Sequence, residues 1–267
     1  MSLAPAAEFL VPGTLEAAQA SLDADRSACL IAGGQSLLPR LRRDPGSMPA
    51  LIRLPPLAPL RSIDVSDGQV SLGAAVTHRD LMRSEVLAHH LPVLPAMAKT
   101  LGDPAVWTFG TVGGVIAEAD PRADYWALFI ALDAVIDTTD GAHRALEYFG
   151  QRRPGARARN AIVTRVHIPL PRAAAYEKFR HPTTRWPAAG VFVATRPDGL
   201  TAVAIGAADQ PIRFDPQSKA FAADGRARPT TIEDFPSASF RQDPLADPAW
   251  RAHLIGVLAR RALAGLA

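Results

Sequence analysis

The stretch ACLIAGGQS, residues 28–36, decides the first part of the fold. Residues 28–32 form a continuous apolar run of strand length, and Gly33 and Gly34 end it abruptly. Two glycines let backbone N–H groups approach an anion closely, and Gln35 and Ser36 add side-chain donors. The pattern predicts either a nest for a diphosphate or a plain tight turn between a strand and a helix.

A second glycine-rich stretch lies ahead of a helix-like apolar segment at residues 125–132. It consists of Gly110, Thr111, Val112, Gly113 and Gly114. Taken alone, it indicates a loop that crosses close to another backbone. Because both stretches carry a hydroxyl beside their glycines, one ligand held by the two loops would explain them together. A long diphosphate-containing molecule such as FAD fits that pattern.

Other kinds of site find little support in the sequence. Neither G-x-G-x-x-G nor the Gly-Lys-Ser/Thr of a P-loop is present. The single cysteine, Cys29, excludes a disulfide framework, a cysteine-ligated zinc site and an iron–sulfur cluster held by this chain alone. His78, His89 and His90 have no carboxylate at ligand spacing, so we expect no metal site. No catalytic residue is expected, since no Ser/His/Asp arrangement, carboxylate pair or nucleophilic cysteine is evident.

The composition is that of a folded globular protein. The 267 residues are 48% hydrophobic and 21% charged, and the formal net charge of +3 is too small to indicate a nucleic-acid partner. No apolar run reaches the roughly 18 residues of a membrane span, and the beginning of the sequence does not resemble a signal peptide. The 24 prolines indicate many short elements joined by stiff turns.

The order of elements predicts a mixed fold of helices and strands in two parts, joined near residues 169–172. Strand and helix patterns alternate up to about residue 55, with Thr14 as the expected N-cap of a helix over residues 15–23. A proline-rich stretch near residue 55 indicates a subdomain boundary. The next part combines a hairpin around the Asp67-Gly68 turn with several helices, one of them from the N-cap Thr77 through Leu87. Another hairpin and a final helix at residues 248–266 follow. The basic run at residues 152–159 predicts a solvated loop or a subunit contact.

Longer stretches around the two glycine loops resemble the flavin-binding medium subunit of the molybdenum hydroxylases. They are IAGGQSLLPRLR from residue 31 and LGDPAVWTFGTVGGVIAEADPRADYWALFIALDA from residue 101. The likeness continues through VTRVHIPLP, AYEKFRH and VLARRAL, so it covers nearly the whole chain in the right order. The family includes bacterial carbon monoxide dehydrogenase and the corresponding segment of xanthine dehydrogenase.

The resemblance implies an α+β fold with two domains. Residues 1–171 would form an FAD-binding domain of the vanillyl-alcohol-oxidase (PCMH-like) type, with subdomains at about 1–55 and 56–171. Residues 172–267 would form a smaller α+β C-terminal domain.

The resemblance also implies which residues hold the FAD. The two glycine loops would bind its diphosphate through Ala32, Gly33, Gly34, Gln35, Ser36, Gly110, Thr111, Val112, Gly113 and Gly114. Asp124 matches an aspartate that reaches the ribityl region, and Lys178 matches a lysine near the flavin. From the residues alone, Asp124 also fits a carboxylate at a helix N-terminus, and Lys178 a solvated surface charge.

Two residues depart from the family pattern. Trp107 stands where arginine is common, and Val115 stands where an asparagine could offer hydrogen bonds. Trp186 falls near the place of a tyrosine that can cover the flavin ring, and an indole could stack equally well. The two departures motivate an alternative function, a flavin-free scaffold or assembly subunit of the same fold.

The resemblance predicts an oxidoreductase subunit that works in electron transfer. Electrons would pass from [2Fe–2S] clusters of a small partner subunit through FAD to an external acceptor. A large partner subunit would carry the molybdenum cofactor. We expect no transmembrane segment, a cytoplasmic location, and as a further option a peripheral position at the inner membrane through the complex. A stand-alone flavin oxidase is disfavoured because the chain lacks room for a separate substrate domain.

Overall fold

Three β-sheets follow one another along the chain, each with its own helices. The structure is a computed structural model that describes residues 8–43, 49–54, 56–150, 161–181, 185–214, 240–243 and 246–266. Within these ranges, no helix has the length and apolar character needed to cross a membrane. The basic run at 152–159 lies outside the described residues.

A parallel three-stranded sheet in the order β1-β3-β2 forms the first unit. Its elements are β1 (Phe9–Leu10), α1 (Leu15–Ala24), β2 (Cys29–Ile31), α2 (Leu37–Arg43) and β3 (Leu51–Arg53). Helix α1 begins where the sequence predicts, because the hydroxyl of Thr14 accepts a hydrogen bond from the amide of Ala17 at 3.1 Å. The first glycine loop therefore lies at the carboxyl end of β2, where ligands of parallel sheets commonly bind.

An antiparallel five-stranded sheet in the order β4-β5-β8-β6-β7 forms the second unit. Its strands are β4 (Ile63–Ser66), β5 (Gln69–Gly73), β6 (Val135–Thr138), β7 (Gly141–Arg144) and β8 (Val163–Pro169). A 3-10 helix at Ala58–Arg61 precedes it. Its helices are α3 (His78–Arg83), α4 (Glu85–His90), α5 (Val93–Lys99), α6 (Pro104–Phe109), α7 (Val112–Glu118), α8 (Asp124–Ala131) and α9 (Ala145–Gly150). The hairpin predicted between β4 and β5 is confirmed, with Asp67 and Gly68 both at positive φ in its turn.

The third unit is an antiparallel four-stranded sheet in the order β12-β11-β10-β9, covered by one long helix. Its elements are β9 (Ala173–Arg180), β10 (Pro187–Arg196), β11 (Gly199–Ile205), β12 (Ile212–Phe214) and α10 (Pro248–Ala264). Ile255 and Leu258 of α10 pack against Val191 and Val193 on one face of the sheet. The opposite face carries Phe192, whose side chain joins the core of the second unit.

Helix α8 lies at the centre of the molecule. All eight of its residues are buried, and those after Asp124 are apolar or aromatic around the whole circumference, as expected for a buried helix. Trp126 stacks on Phe149 of α9, with ring centroids 3.8 Å apart, while Phe192 and Val203 of the third unit belong to the same core. The second and third units therefore share one hydrophobic core across α8.

The predicted single helix from Thr77 through Leu87 is wrong in its extent. The capping box of Thr77 and Asp80 is present, but α3 ends at Arg83 and α4 begins at Glu85. The hydroxyl of Ser84 accepts a hydrogen bond from the amide of Leu87 at 3.2 Å and so caps a new helix.

The predicted boundaries near residues 55 and 171 fall between the sheets. Strand β3 ends at Arg53, β8 ends at Pro169 and β9 begins at Ala173. We propose residues 1–171 and 172–267 as the two domains, with the first divided near residue 55.

A cluster of ion pairs around Asp133 fastens the third unit to the second. Asp133 follows α8 with a φ of 49°, and its carboxylate receives hydrogen bonds from Arg196 and, at 3.3 Å, from Arg213. Arg144 lies 3.5 Å from the same carboxylate. Arg196 also donates to the carbonyl oxygen of Ala131 at 3.0 Å. Burial alone would raise the pKa of Asp133, but its arginine partners lower it below the ordinary value of 3.8.

We predict that Asp133→Asn lowers the free energy of unfolding by about 1–2 kcal/mol, because it weakens charge-assisted hydrogen bonds at a partly buried position. Asp198→Asn is the matched control, since Asp198 pairs with the same Arg196 but its side chain is 65% exposed. Chemical denaturation of both variants measures the difference. Equal losses in the two variants would contradict a special role for Asp133.

The lowered pKa of Asp133 also predicts how the stability of the protein depends on pH. A carboxylate whose pKa is lowered by folding stabilises the protein above its unfolded pKa, and this contribution is lost as pH falls through the folded pKa. The difference between wild type and Asp133→Asn should therefore be full above about pH 5 and shrink below pH 4. Denaturation curves at a series of pH values test this, and a difference that grows on acidification would contradict it.

Candidate functional site

A cavity of about 710 Å³ opens where the three units meet. Most of the sequence-predicted binding residues line it, namely Ala32, Gly33, Gly34, Gln35, Ser36, Gly110, Thr111, Gly113, Gly114 and Asp124. Val112 does not line the cavity and is buried in the core. Lys178 does not line the cavity either, but it contacts the lining residue Asp124. Arg185 and Trp186 of the third unit also line the cavity.

The two glycine loops touch each other. A Cβ atom at Gly33 would lie 1.7 Å from the carbonyl oxygen of Phe109 and 2.5 Å from its carbonyl carbon. Only glycine allows this approach, because both neighbouring atoms belong to the backbone. The contact sets the two loops side by side at the wall of the cavity.

The first loop presents backbone donors that the protein itself does not use. Among the described residues, no oxygen accepts a hydrogen bond from the amides of Gly33, Gly34, Gln35 or Ser36. Gly34 holds a φ of 70°, which a side chain would strain. Successive unpaired amides at the wall of a cavity are a nest for an anion such as a diphosphate.

The second stretch is not a loop throughout, because α7 begins at Val112 with Thr111 as its N-cap. The amide of Gly114 donates to the hydroxyl of Thr111 at 3.0 Å, and the amide of Gly113 donates to the carbonyl oxygen of Ala74 at 2.8 Å. The amide of Val112 is likewise bound, to Val76 at 2.9 Å. Three of its amides are therefore engaged within the protein, and the Thr111 hydroxyl and the side-chain-free surface of Gly113 and Gly114 face the cavity, whereas the first loop has four successive unpaired amides.

Asp124 and Lys178 form a buried ion pair at the edge of the cavity. Nζ of Lys178 lies 2.6 Å from Oδ1 of Asp124, and each side chain is only 4% exposed. The hydroxyl of Tyr176 donates to the same oxygen at 2.7 Å. Burial, with the negative charge of Asp124 added, raises the pKa of Tyr176 well above 10.0, so its phenol keeps its proton. Lys178 is therefore not a solvated surface charge.

His78 lines the cavity as well, and the sequence did not mark it as a binding residue. Its Nδ1 lies 3.1 Å from the hydroxyl of Tyr125, and burial lowers its pKa to about 4. The imidazole is therefore neutral at physiological pH. No local sequence pattern marks it, because the pairing of the preceding Thr77 with Thr111, a contact 34 residues apart, brings it to the second glycine stretch.

Charged side chains span the cavity between the first and second units. Nη1 of Arg40 on α2 lies 3.0 Å from Oε1 of Glu118 on α7. Burial raises the pKa of Glu118 against the opposing effect of Arg40, and nearby Asp120 raises it further. Arg185 of the third unit donates to the carbonyl oxygen of Gly102 at 3.2 Å. The three units are thus tied together around the cavity mouth.

The two departures from the family pattern lie in different places. Val115 lines the cavity, whereas Trp107 is not among the described lining residues and its indole N–H donates to the carbonyl oxygen of the lining residue Leu101. Trp107 therefore fixes α6 against the preceding turn, and only Val115 changes the chemistry of the cavity itself.

A Ser–His–Asp arrangement is present, contrary to the sequence prediction. Nδ1 of His167 lies 2.8 Å from the hydroxyl of Ser71, and its Nε2 lies 2.8 Å from a carboxylate oxygen of Asp137. The three residues come from neighbouring strands β5, β8 and β6, whose backbone amides are engaged in sheet pairing. Without backbone donors for an oxyanion the group lacks a key part of a hydrolase site. Among the described residues, no cluster fit to hold a metal ion occurs.

Comparison with known proteins agrees with the sequence and the fold. Residues 5–171 match the family model described as the FAD binding domain in molybdopterin dehydrogenase. The carbon monoxide dehydrogenase medium chain of Hydrogenophaga pseudoflava is 32% identical over 205 residues, which are 74% of this chain and 71% of that protein. The glyceraldehyde dehydrogenase medium chain of Sulfolobus acidocaldarius is 26% identical over 170 residues, 62% of this chain and 60% of that protein.

Solved structures show the same fold over the full length. Carbon monoxide dehydrogenase from Hydrogenophaga pseudoflava, in a form that lacks the Mo-pyranopterin moiety of its cofactor, superposes with a TM-score of 0.84. The identity is 26%, and the match covers 99% of this chain and 98% of that chain. The predicted fold class is confirmed. The chain therefore belongs to the family of FAD-binding domains of molybdopterin dehydrogenases and is an FAD-binding medium subunit of the molybdenum hydroxylase type, an oxidoreductase subunit.

Proposed function

We propose that this chain carries electrons from the [2Fe–2S] clusters of a small partner subunit through FAD to an external acceptor. The observation that carries the proposal is the row of unpaired amides at residues 33–36, set in the wall of a cavity shared by all three units. A cavity with such a nest at one wall and a buried ion pair at another fits a long cofactor with a diphosphate in its middle.

Each part of the cavity has a distinct role in this proposal. The first glycine loop holds the diphosphate through its amides, and Thr111 adds its hydroxyl. Asp124 accepts a hydrogen bond from the ribityl region, while Lys178 and Tyr176 hold its carboxylate in place. The flavin supplies the redox chemistry, so no side chain of this chain needs to be a general acid or base.

The partners follow from the family. Several relatives bear the name medium chain, which supports assembly with a large and a small subunit. We propose that the large subunit carries the molybdenum cofactor and the small subunit the [2Fe–2S] clusters. The cytoplasmic location, with a peripheral position at the inner membrane through the complex, belongs to the same proposal.

The alternative function, a flavin-free scaffold, rests on Val115 alone once Trp107 is placed outside the described cavity wall. The visible absorption spectrum of the purified chain, before and after incubation with FAD and desalting, tests the two functions. Retained bands at about 370 and 450 nm support the flavoprotein, because they show a bound flavin. A chain that stays colourless alone and together with its partner subunits would overturn the proposal in favour of the scaffold.

We predict that Val115→Asn binds FAD about three- to tenfold more tightly than wild type, because the amide adds one hydrogen bond within the cavity. Val115→Ala is the matched control, since it removes the same isopropyl group without adding a donor. Titration of the apo chain with FAD measures both dissociation constants. Equal affinities of the two variants would show that the missing asparagine does not limit binding.

We predict that Gly33→Ala abolishes FAD uptake and lowers the free energy of unfolding by about 1–3 kcal/mol, because the new methyl group overlaps the backbone of Phe109. The two loops would have to move apart. Gly150→Ala is the matched control, since a Cβ at Gly150 meets no atom within 4 Å. Thermal denaturation and FAD titration of both variants test this; unchanged FAD affinity in Gly33→Ala would contradict the paired-loop site.

A further inference from the structure

A stack of side chains at the mouth of the cavity joins two units of the protein. Cζ of Arg122, on the turn between α7 and α8, lies 5.0 Å from the centroid of the Trp186 ring. Trp186 belongs to the third unit and directly precedes β10. A guanidinium over an indole face is attracted by the ring quadrupole, and tryptophan is the best aromatic partner for a cation.

Asp120 fixes the guanidinium in its plane. Nε of Arg122 donates to Oδ1 of Asp120 at 3.0 Å, and Nη2 donates to Oδ2 at 2.6 Å. The backbone amide of Arg122 also donates to Oδ1, at 2.9 Å. A bidentate pair sets orientation as well as distance, so the arginine presents one fixed face to the indole.

The indole, and not the guanidinium, belongs to the lining of the cavity. Trp186 and Asp120 are among the described residues that line the cavity, and Arg122 is not. Trp186 is 36% exposed, so its ring forms part of the cavity mouth. Without a partner against its ring, a tryptophan as exposed as this one would sample several rotamers.

We propose that Arg122 is a positioning residue, which acts through Trp186 to fix one wall of the flavin site. This inference rests on the proposed function and extends it to a side chain outside the cavity. A planar ring system binds best to an aromatic wall that is already in place, because ordering that wall during binding would cost affinity. Loss of Arg122 should therefore weaken FAD binding by about three- to tenfold.

The test uses the full chain labelled with 5-fluorotryptophan, and fluorine NMR without FAD, with Trp186→Phe to assign the resonance. Arg122→Leu removes the cation and its bidentate pair, and Arg122→Lys retains the cation. Arg260→Leu is the matched control, since Arg260 is exposed on α10. We expect a shifted Trp186 resonance and weaker FAD binding in Arg122→Leu, partial recovery of both in Arg122→Lys, and no change in Arg260→Leu.

Each part of the proposal is contradicted by a different outcome. A Trp186 resonance in Arg122→Leu identical to that of wild type would overturn the positioning role. A shifted resonance with the FAD affinity of Arg260→Leu would overturn the role toward the flavin. A wild-type chain that takes up no FAD, even with its partner subunits, would overturn the proposed function, while the resonance would still report the contact. The resonance of buried Trp126 monitors folding, and Arg122→Gln replaces Arg122→Leu if that resonance changes.

Discussion

The complete burial of helix α8 is the constraint on which the rest of the structure depends. Its apolar side chains lie between the second and third units, but its first residue is the carboxylate Asp124. A buried charge is costly unless it is paired and hydrogen-bonded. Lys178 and Tyr176 on β9 supply that pairing, so the third unit must dock in one register on the second. The polar end of α8 thereby becomes part of the cavity.

The two glycine loops have similar sequences but different structural roles. Gly33 and Gly34 shape a loop whose amides are left unpaired, which suits an anion. Gly113, by contrast, is needed for packing, because a Cβ there would lie 2.5 Å from Cβ of Ala74. Glycine content alone does not separate these roles, since both demand the absence of a side chain. The partners of the backbone amides separate them.

Local patterns in the sequence predicted much of the fold, and non-local contacts account for what they missed. Thr14 and the Asp67-Gly68 turn are read from a few neighbouring residues, and both are confirmed. Strand β9, by contrast, contains three alanines and several charges, and it forms because residues 173–180 pair with β10. Lys178 and Trp107 also depended on partners elsewhere, in α8 and in the turn before α6. The candidate site was predicted through the family resemblance, which carries such distant pairings implicitly.

The third unit contributes few lining residues to the cavity, but these residues form one end of it. Arg185 and Trp186 precede β10, and Lys178 lies on the adjacent strand β9, so one hairpin delivers all three. The position of that hairpin depends on contacts remote from the cavity, at Asp133 and along α8. A small rotation of the third unit would move the indole of Trp186 and the ammonium group of Lys178 together. Substitutions in the interface should therefore alter this end of the cavity while leaving the unpaired amides of the first loop in place.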